Sequence, residues 1–232
     1  MLQKGLTQLL KKYAIEKEVQ MSEDGKSVRL NGQNIPLLPW ESERRILELR
    51  NIFLSGKIGN ICTYRIGHTT IEKGDLFALL KREIGILEFT TDSKVKEIFV
   101  ISMNRAMNCI LETTNGCICT IELGATLRRS EKDIDKHEIM ADKGIACDRV
   151  VDTQIPQSSV YVFGSKISSW QDTDAELYGY SEDEINVIRN AFAVVSDAKL
   201  REENICKNRH IEKVVASAKI SMKYLKNVRV EA

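Results

Sequence analysis

Any chemistry in this chain has to come from three histidines, six cysteines or one strongly polar loop. A histidine becomes a general base when a carboxylate orients it, and the adjacency of His137 and Glu138 does not supply that geometry. His68 follows Gly67 in a stretch that reads as a loop entering a helix, a position from which a side chain can meet a ligand. The plainer account of each histidine, His210 included, is a surface or locally satisfied side chain. Asp148 to Ser159, DRVVDTQIPQSS, has no clean period, and within it Asp152 and Gln154 are candidate ligand contacts. Loops of that kind often touch ligands or neighbouring subunits, and an ordinary structural turn explains this one equally well.

The cysteines contain no C-x-x-C pair, and no histidine sits at ligand spacing from them, so a metal site is not expected. Cys117 and Cys119 lie two apart on an expected strand and share a face. Reduced, mostly buried thiols are the expectation, because free cysteine behaves as a small hydrophobe. Among the 13 glycines there is neither G-x-G-x-x-G nor G-x-x-x-x-G-K-S/T. Gly56 and Gly59 make only a G-x-x-G, which a plain turn explains. No cofactor is therefore expected. A serine nucleophile is excluded too, since G-x-S-x-G is absent.

The elements that would position such residues are organised around Lys73 to Thr126. Asp75 is an expected N-cap, and Leu76, Leu80, Ile84 and Leu87 recur at helical spacing. After Asp92 and Ser93 the period changes to two. Val95 to Ile101, Met107 to Glu112 and Cys117 to Leu123 read as strands, and Asn115-Gly116 closes the last hairpin. Residues 1–40 read as a separate arm, an amphipathic helix and a small ribbon, ahead of a main α+β domain over 41–232. Glu41 to Leu54 is an expected helix, Ile61 to Ile66 a short strand, and Gly67 to Gly74 a loop. Arg128 to Asp135 reads as a solvated turn, Glu138 to Ala141 as a short strand, and Gly164 to Asp174 as a loop. Ser181-x-x-Glu184 is a capping box for the first of two closing helices.

The totals narrow the classes further. At 232 residues and 43% hydrophobic, one sizeable core can form. The 34 basic and 33 acidic residues leave a net charge of +1, so nucleic acid is a poor partner. No apolar run approaches the roughly 18 residues that cross a bilayer, so no membrane partner is expected. The N-terminus, MLQKGLTQLLKKY, is broken by lysines and lacks a signal-peptide core, which makes the cytoplasm the expected address.

WESERRILELRNIFLSGKIGNICTYRI, with its Arg44-Arg45 pair and its G-x-I-G turn at Gly56 to Gly59, resembles the start of a known domain. That domain is the C-terminal one of the glucose–fructose oxidoreductase / inositol dehydrogenase (Gfo/Idh/MocA) family. GDLFALLKREIGILEFTTDSKVKEI resembles its next helix and strand, and NCILETTNGCICTIEL its Asn-Gly hairpin. The resemblance implies an open mixed or antiparallel sheet with helices on one face, of the dihydrodipicolinate-reductase-like C-terminal type. It also implies a homo-oligomer through the other sheet face and small polyols or sugars as ligands. Family enzymes begin with a Rossmann domain carrying a Gly-rich loop and a Glu-Lys-Pro motif, and only about 40 residues precede the similar region here. The family's D-x-x-x-H positions fall on Ala78 and Arg82, neither of which exchanges a proton at neutral pH. In that reading Arg82 is an anion or hydroxyl anchor rather than a catalytic residue. The expectation is a stand-alone relative without redox activity. Alternatives are one subunit of a split enzyme, whose partner is a Rossmann-domain chain, and a purely structural or regulatory module.

Overall fold

The computed structural model describes residues 1–148, 160–163, 167–170, 174 and 176–231. They form two compact units, one of residues 1–44 and 172–210, the other of residues 45–171 and 211–232.

In the first unit α1 (Leu2–Lys12) is followed by a three-stranded antiparallel ribbon, β1 (Val19–Met21), β2 (Ser27–Leu30) and β3 (Gln33–Pro36). Pro39–Ser42 is a single 3-10 turn, and the helix expected over Glu41 to Leu54 starts after it, at Arg44. Leu6 and Leu10 of α1 and Val28, Leu30 and Ile35 of the ribbon share a core with Ala191, Val194 and Val195. Those three belong to α4 (Glu182–Ser196), whose expected capping box is present at Ser181 and Glu184 and contributes about 1 kcal/mol. Gly5 lets α1 lie close to α4, since a Cβ there would stand 2.5 Å from Ile188 Cδ1. Asn190 is buried but satisfied: its Oδ1 accepts from the Leu38 amide and from Asn204 Nδ2. Asn204 lies on the long helix that follows α4, the first half of which belongs to this unit.

The second unit is the sheet. Its strands are β4 (Ile61–Ile71), β5 (Val95–Met103), β6 (Ala106–Thr113), β7 (Ile118–Leu127), β8 (Ile134–Ala141), β9 (Gly144–Cys147), β10 (Val160–Phe163), β11 (Ile167–Trp170) and β12 (Val228–Arg229). Their order is β11-β10-β9-β8-β4-β7-β6-β5-β12, with only β4 and β7 parallel among the described pairs. The sheet is therefore mixed, with helices on one side: α2 (Arg44–Leu54, mostly in this unit), α3 (Leu76–Thr91) and the later half of α5 (Ala198–Tyr224). Asp75 caps α3 as expected, accepting from the amides of Phe77 and Ala78. The helix stops at Asp92, which adopts the left-handed conformation with φ 49°.

Three expectations change. β4 does not end at Ile66 but runs to Ile71, because pairing with β7 and β8 on both edges outweighs the turn signal of Gly67-His68. β8 begins at Ile134, so Asp135 is a strand residue rather than part of a solvated turn. The stretch 164–174, expected as a loop, contains β11, which hairpins onto β10.

Candidate functional site

Period-two alternation decides which side chains of β4 and β8 face the helices. On β4 the buried set is Tyr64, Ile66, His68 and Thr70, and on β8 it is His137 and Ile139. Two histidines therefore point into the helix-covered interior. Glu83 meets them from α3, where it shares a stripe with Leu80, Ile84 and Leu87. Arg82, the next residue back on the helix, is a quarter exposed.

The geometry is a chain of alternating carboxylates and imidazoles. Asp148 Oδ2 is 2.5 Å from His137 Nδ1, and its Oδ1 accepts from the His137 amide at 2.7 Å. His137 Nε2 is 2.9 Å from Glu83 Oε2, and Glu83 Oε1 is 2.6 Å from His68 Nδ1. His68 Nε2 then stands 3.5 Å from Asp133 Oδ2, too far for a hydrogen bond, and it has no hydrogen-bond partner among the described residues. Thr70 Oγ1 donates to the other Asp133 oxygen at 2.8 Å. Two arginines close the cluster. Arg45 pairs with both Asp135 and Asp148, and Arg82 donates to Glu83 Oε1 at 2.6 Å while its other nitrogen is 3.1 Å from Asp135.

The charges in this cluster are fixed by one another. Burial alone would strip the proton from His137. The charge and hydrogen bond of Asp148, reinforced by Glu83, hold it on, so its pKa rises to about 10. Burial would likewise protonate Glu83, yet Arg82 and the two histidines keep it well below the ordinary carboxylate range. Asp135 is held down against burial by Arg45, with smaller help from His137 and Arg82. At neutral pH the cluster is thus an ionised network in which His137 is a standing cation. A standing cation cannot accept a proton. At His68, Glu83 is an acceptor, so Nδ1 carries a hydrogen, an assignment that follows from the hydrogen-bond network.

The structure brings together two of the four residues singled out from sequence. Arg82 and His68 share one oxygen of Glu83. Asp152 and Gln154 lie outside the described residues. His137, set aside above because its neighbour Glu138 could not orient it, is oriented by Asp148 and Glu83, which are 11 and 54 residues away. Glu83, Asp135 and Arg45 carry no site expectation from the sequence, and Asp148 enters only as the first residue of the polar loop. The available signal was a titratable residue on an apolar stripe: Glu83 between Leu80 and Leu87, His68 in phase with Tyr64 and Ile66, His137 in phase with Ile139.

Other chemistry is sparse. Among the described residues, no three His, Cys, Asp or Glu side chains are placed to hold a metal ion. Four cysteines are buried, and burial pushes the Cys109 thiol to about 12 and that of Cys117 to about 11, which leaves them inert as nucleophiles.

Three solved structures show what this architecture is like. One is the Gal80p super-repressor mutant from Saccharomyces cerevisiae, with a TM-score of 0.68 at 12% identity over 86% of this chain and 65% of that one. Another is an Agrobacterium radiobacter oxidoreductase in complex with NAD+, L-tartaric acid and magnesium, with 0.66 at 13% identity over 83% and 63%. A third is Lactobacillus casei scyllo-inositol dehydrogenase with NAD(H) and scyllo-inositol, with 0.60 at 14% identity over 84% and 64%. The chain carries a Gfo/Idh/MocA-type oxidoreductase domain fold. It spans less than two thirds of the length of each of these structures. Neither a family model nor a curated protein matches the sequence. On α3, Arg82 faces Glu83 and Asp135.

Proposed function

We propose that this chain is a non-redox module of the Gfo/Idh/MocA-type fold that acts in homo-oligomeric assembly, with a small polyol or sugar-like molecule as its ligand class. The observation that carries the reading is the state of Arg82. A guanidinium stays protonated in water, and here it is tied to two carboxylates, so the position has no proton to exchange with an alcohol. A nicotinamide cofactor's phosphates do not fit the one G-x-x-G turn at Gly56–Gly59. At the Gly56–Gly59 turn, the place where a phosphate would need free amides is taken by Asp142. Its carboxylate accepts from the Asn60 amide at 2.9 Å and fills the space that a Gly59 Cβ would enter.

The assembly half of the proposal rests on the sheet face turned away from the helices. Ile101, Ile110 and Ile118 are exposed there, and Ile110 sits in register with Phe99 on one side and Thr120 on the other. An apolar patch on an open sheet is a surface that a second copy would bury. Isothermal titration with NAD and NADP is expected to give no heat. Mass determination in solution is expected to show a multimer that Ile110→Glu shifts toward monomer. Micromolar binding of either nucleotide would refute the non-redox reading, and a monomeric parent chain would refute the assembly.

A further inference from the structure

We propose that the end of α5 is a docking tip for an anionic phospholipid surface. From Lys213 to Val230 the chain carries five cations and no carboxylate, in a protein whose total charge is +1. Three of the five, Lys219, Lys223 and Lys226, have no carboxylate partner among the described residues. Their ammonium groups lie over aromatic rings instead, Lys219 over Phe77 at 5.1 Å and Lys223 and Lys226 over Tyr224 at 5.0 and 5.6 Å. Between these lysines the end of α5 and the residue that follows it expose apolar side chains: Ile220 at 46%, Tyr224 at 59% and Leu225 at 67%. Cations near a helix C-terminus are favoured by the helix dipole, which accounts for Lys223 and Lys226 but not for three exposed apolar residues among them.

Leu225 carries the inference beyond composition. It occupies the left-handed conformation, φ 50°, at the position after a helix where glycine is usual. A leucine there is strained and buries little in return. The turn that holds it is nonetheless fixed. Buried Ser221 accepts from the Val100 amide of β5 at 2.9 Å and donates to the Lys226 carbonyl at 2.7 Å, and β12 then pairs with β5. A strained, exposed leucine on a rigid mount is a residue presented to something.

The exposures favour a soft planar surface over a peptide. A peptide-binding groove would leave its apolar residues half-buried between walls, whereas Tyr224 and Leu225 are mostly exposed. Leucine and tyrosine entering the headgroup region, with lysines reaching the phosphates along their apolar stems, match an anionic interface. No described helix is long and apolar enough to cross a membrane, and contact of this kind needs none.

The test is co-sedimentation of the full chain with vesicles of phosphatidylcholine alone or mixed with phosphatidylserine, at low salt. Binding is expected only to the anionic vesicles and should fall about a hundredfold in partition when Lys219, Lys223 and Lys226 are all changed to Glu. Leu225→Gly should weaken binding several-fold while melting no lower than the parent, which separates lost contact from lost folding. Equal binding to both vesicle types, no binding to either, or binding that survives charge reversal would each overturn the proposal. So would capture by soluble poly-glutamate without capture by vesicles, which would assign the tip to an acidic protein.

Discussion

Glu83→Gln is expected to destabilise the protein by about 3–5 kcal/mol, the scale for removing one member of a buried ion network. Glutamine has nearly the same volume, so the loss cannot be assigned to a cavity. The carboxamide keeps one acceptor oxygen but removes the charge that faces the His137 imidazolium and the Arg82 guanidinium. Its amide hydrogens would also be directed at groups that already donate. Asp148 and Asp135 would remain to balance three cations, Arg45, Arg82 and protonated His137, inside the protein. Urea unfolding of parent and variant measures the difference directly. A loss below about 1 kcal/mol would mean that the network contributes hydrogen bonds rather than compensated charge. Because the groups touch one another, Glu83→Gln and His137→Gln should not add, and the double variant is expected to recover part of the sum.

Much of the architecture was legible in residues alone because it rests on local rules. The α3 stripe, the Asp75 cap, the period change after Asp92, the Asn115-Gly116 hairpin and the Ser181 capping box each involve residues a few positions apart. What was not legible depends on pairing at long range. β4 extends through Gly67-His68 only because two other strands hold its edges, and that extension puts His68 on the inner face. Asp135 looked solvated among RRSEKD, yet the register of β8 against β4 places it beside two arginines. The site was missed for a related reason. A carboxylate and a histidine that act together need not be sequence neighbours: the fold joins His68 of β4, Glu83 of α3, His137 of β8 and Asp148 just after β9. A charged residue in phase with an apolar stripe is the signal that survives in the sequence, and Glu83 shows how much follows from reading it.

Stability is expected to fall as pH rises from about 6.5 to 8, where an ordinary chain of this charge would change little. His137 binds its proton up to a pKa of about 10 in the folded state, against about 6.5 in the unfolded chain. Its contribution is therefore complete below the unfolded value and is lost progressively as pH climbs toward the folded one. The slope approaches about 1.4 kcal/mol per pH unit for one proton, shed by the unfolded chain and kept by the native one. Glu83 and Asp135 act in the opposite sense. Their folded values are depressed, so their contribution is present above roughly pH 4.5 and disappears as pH falls further. Between those arms lies a plateau of maximal stability near pH 5 to 6.5. Buried Cys109 and Cys117 add a similar alkaline loss, but it begins only above about 8.5, where unfolded thiols ionise. Measurements of unfolding free energy at pH 6.5 and 8 therefore isolate the histidine. His137→Gln should be less stable than the parent at pH 6.5 and nearly flat across that window. A parent chain equally stable at both values would show that His137 is buried neutral, and the network would then hold one negative charge more than its cations balance.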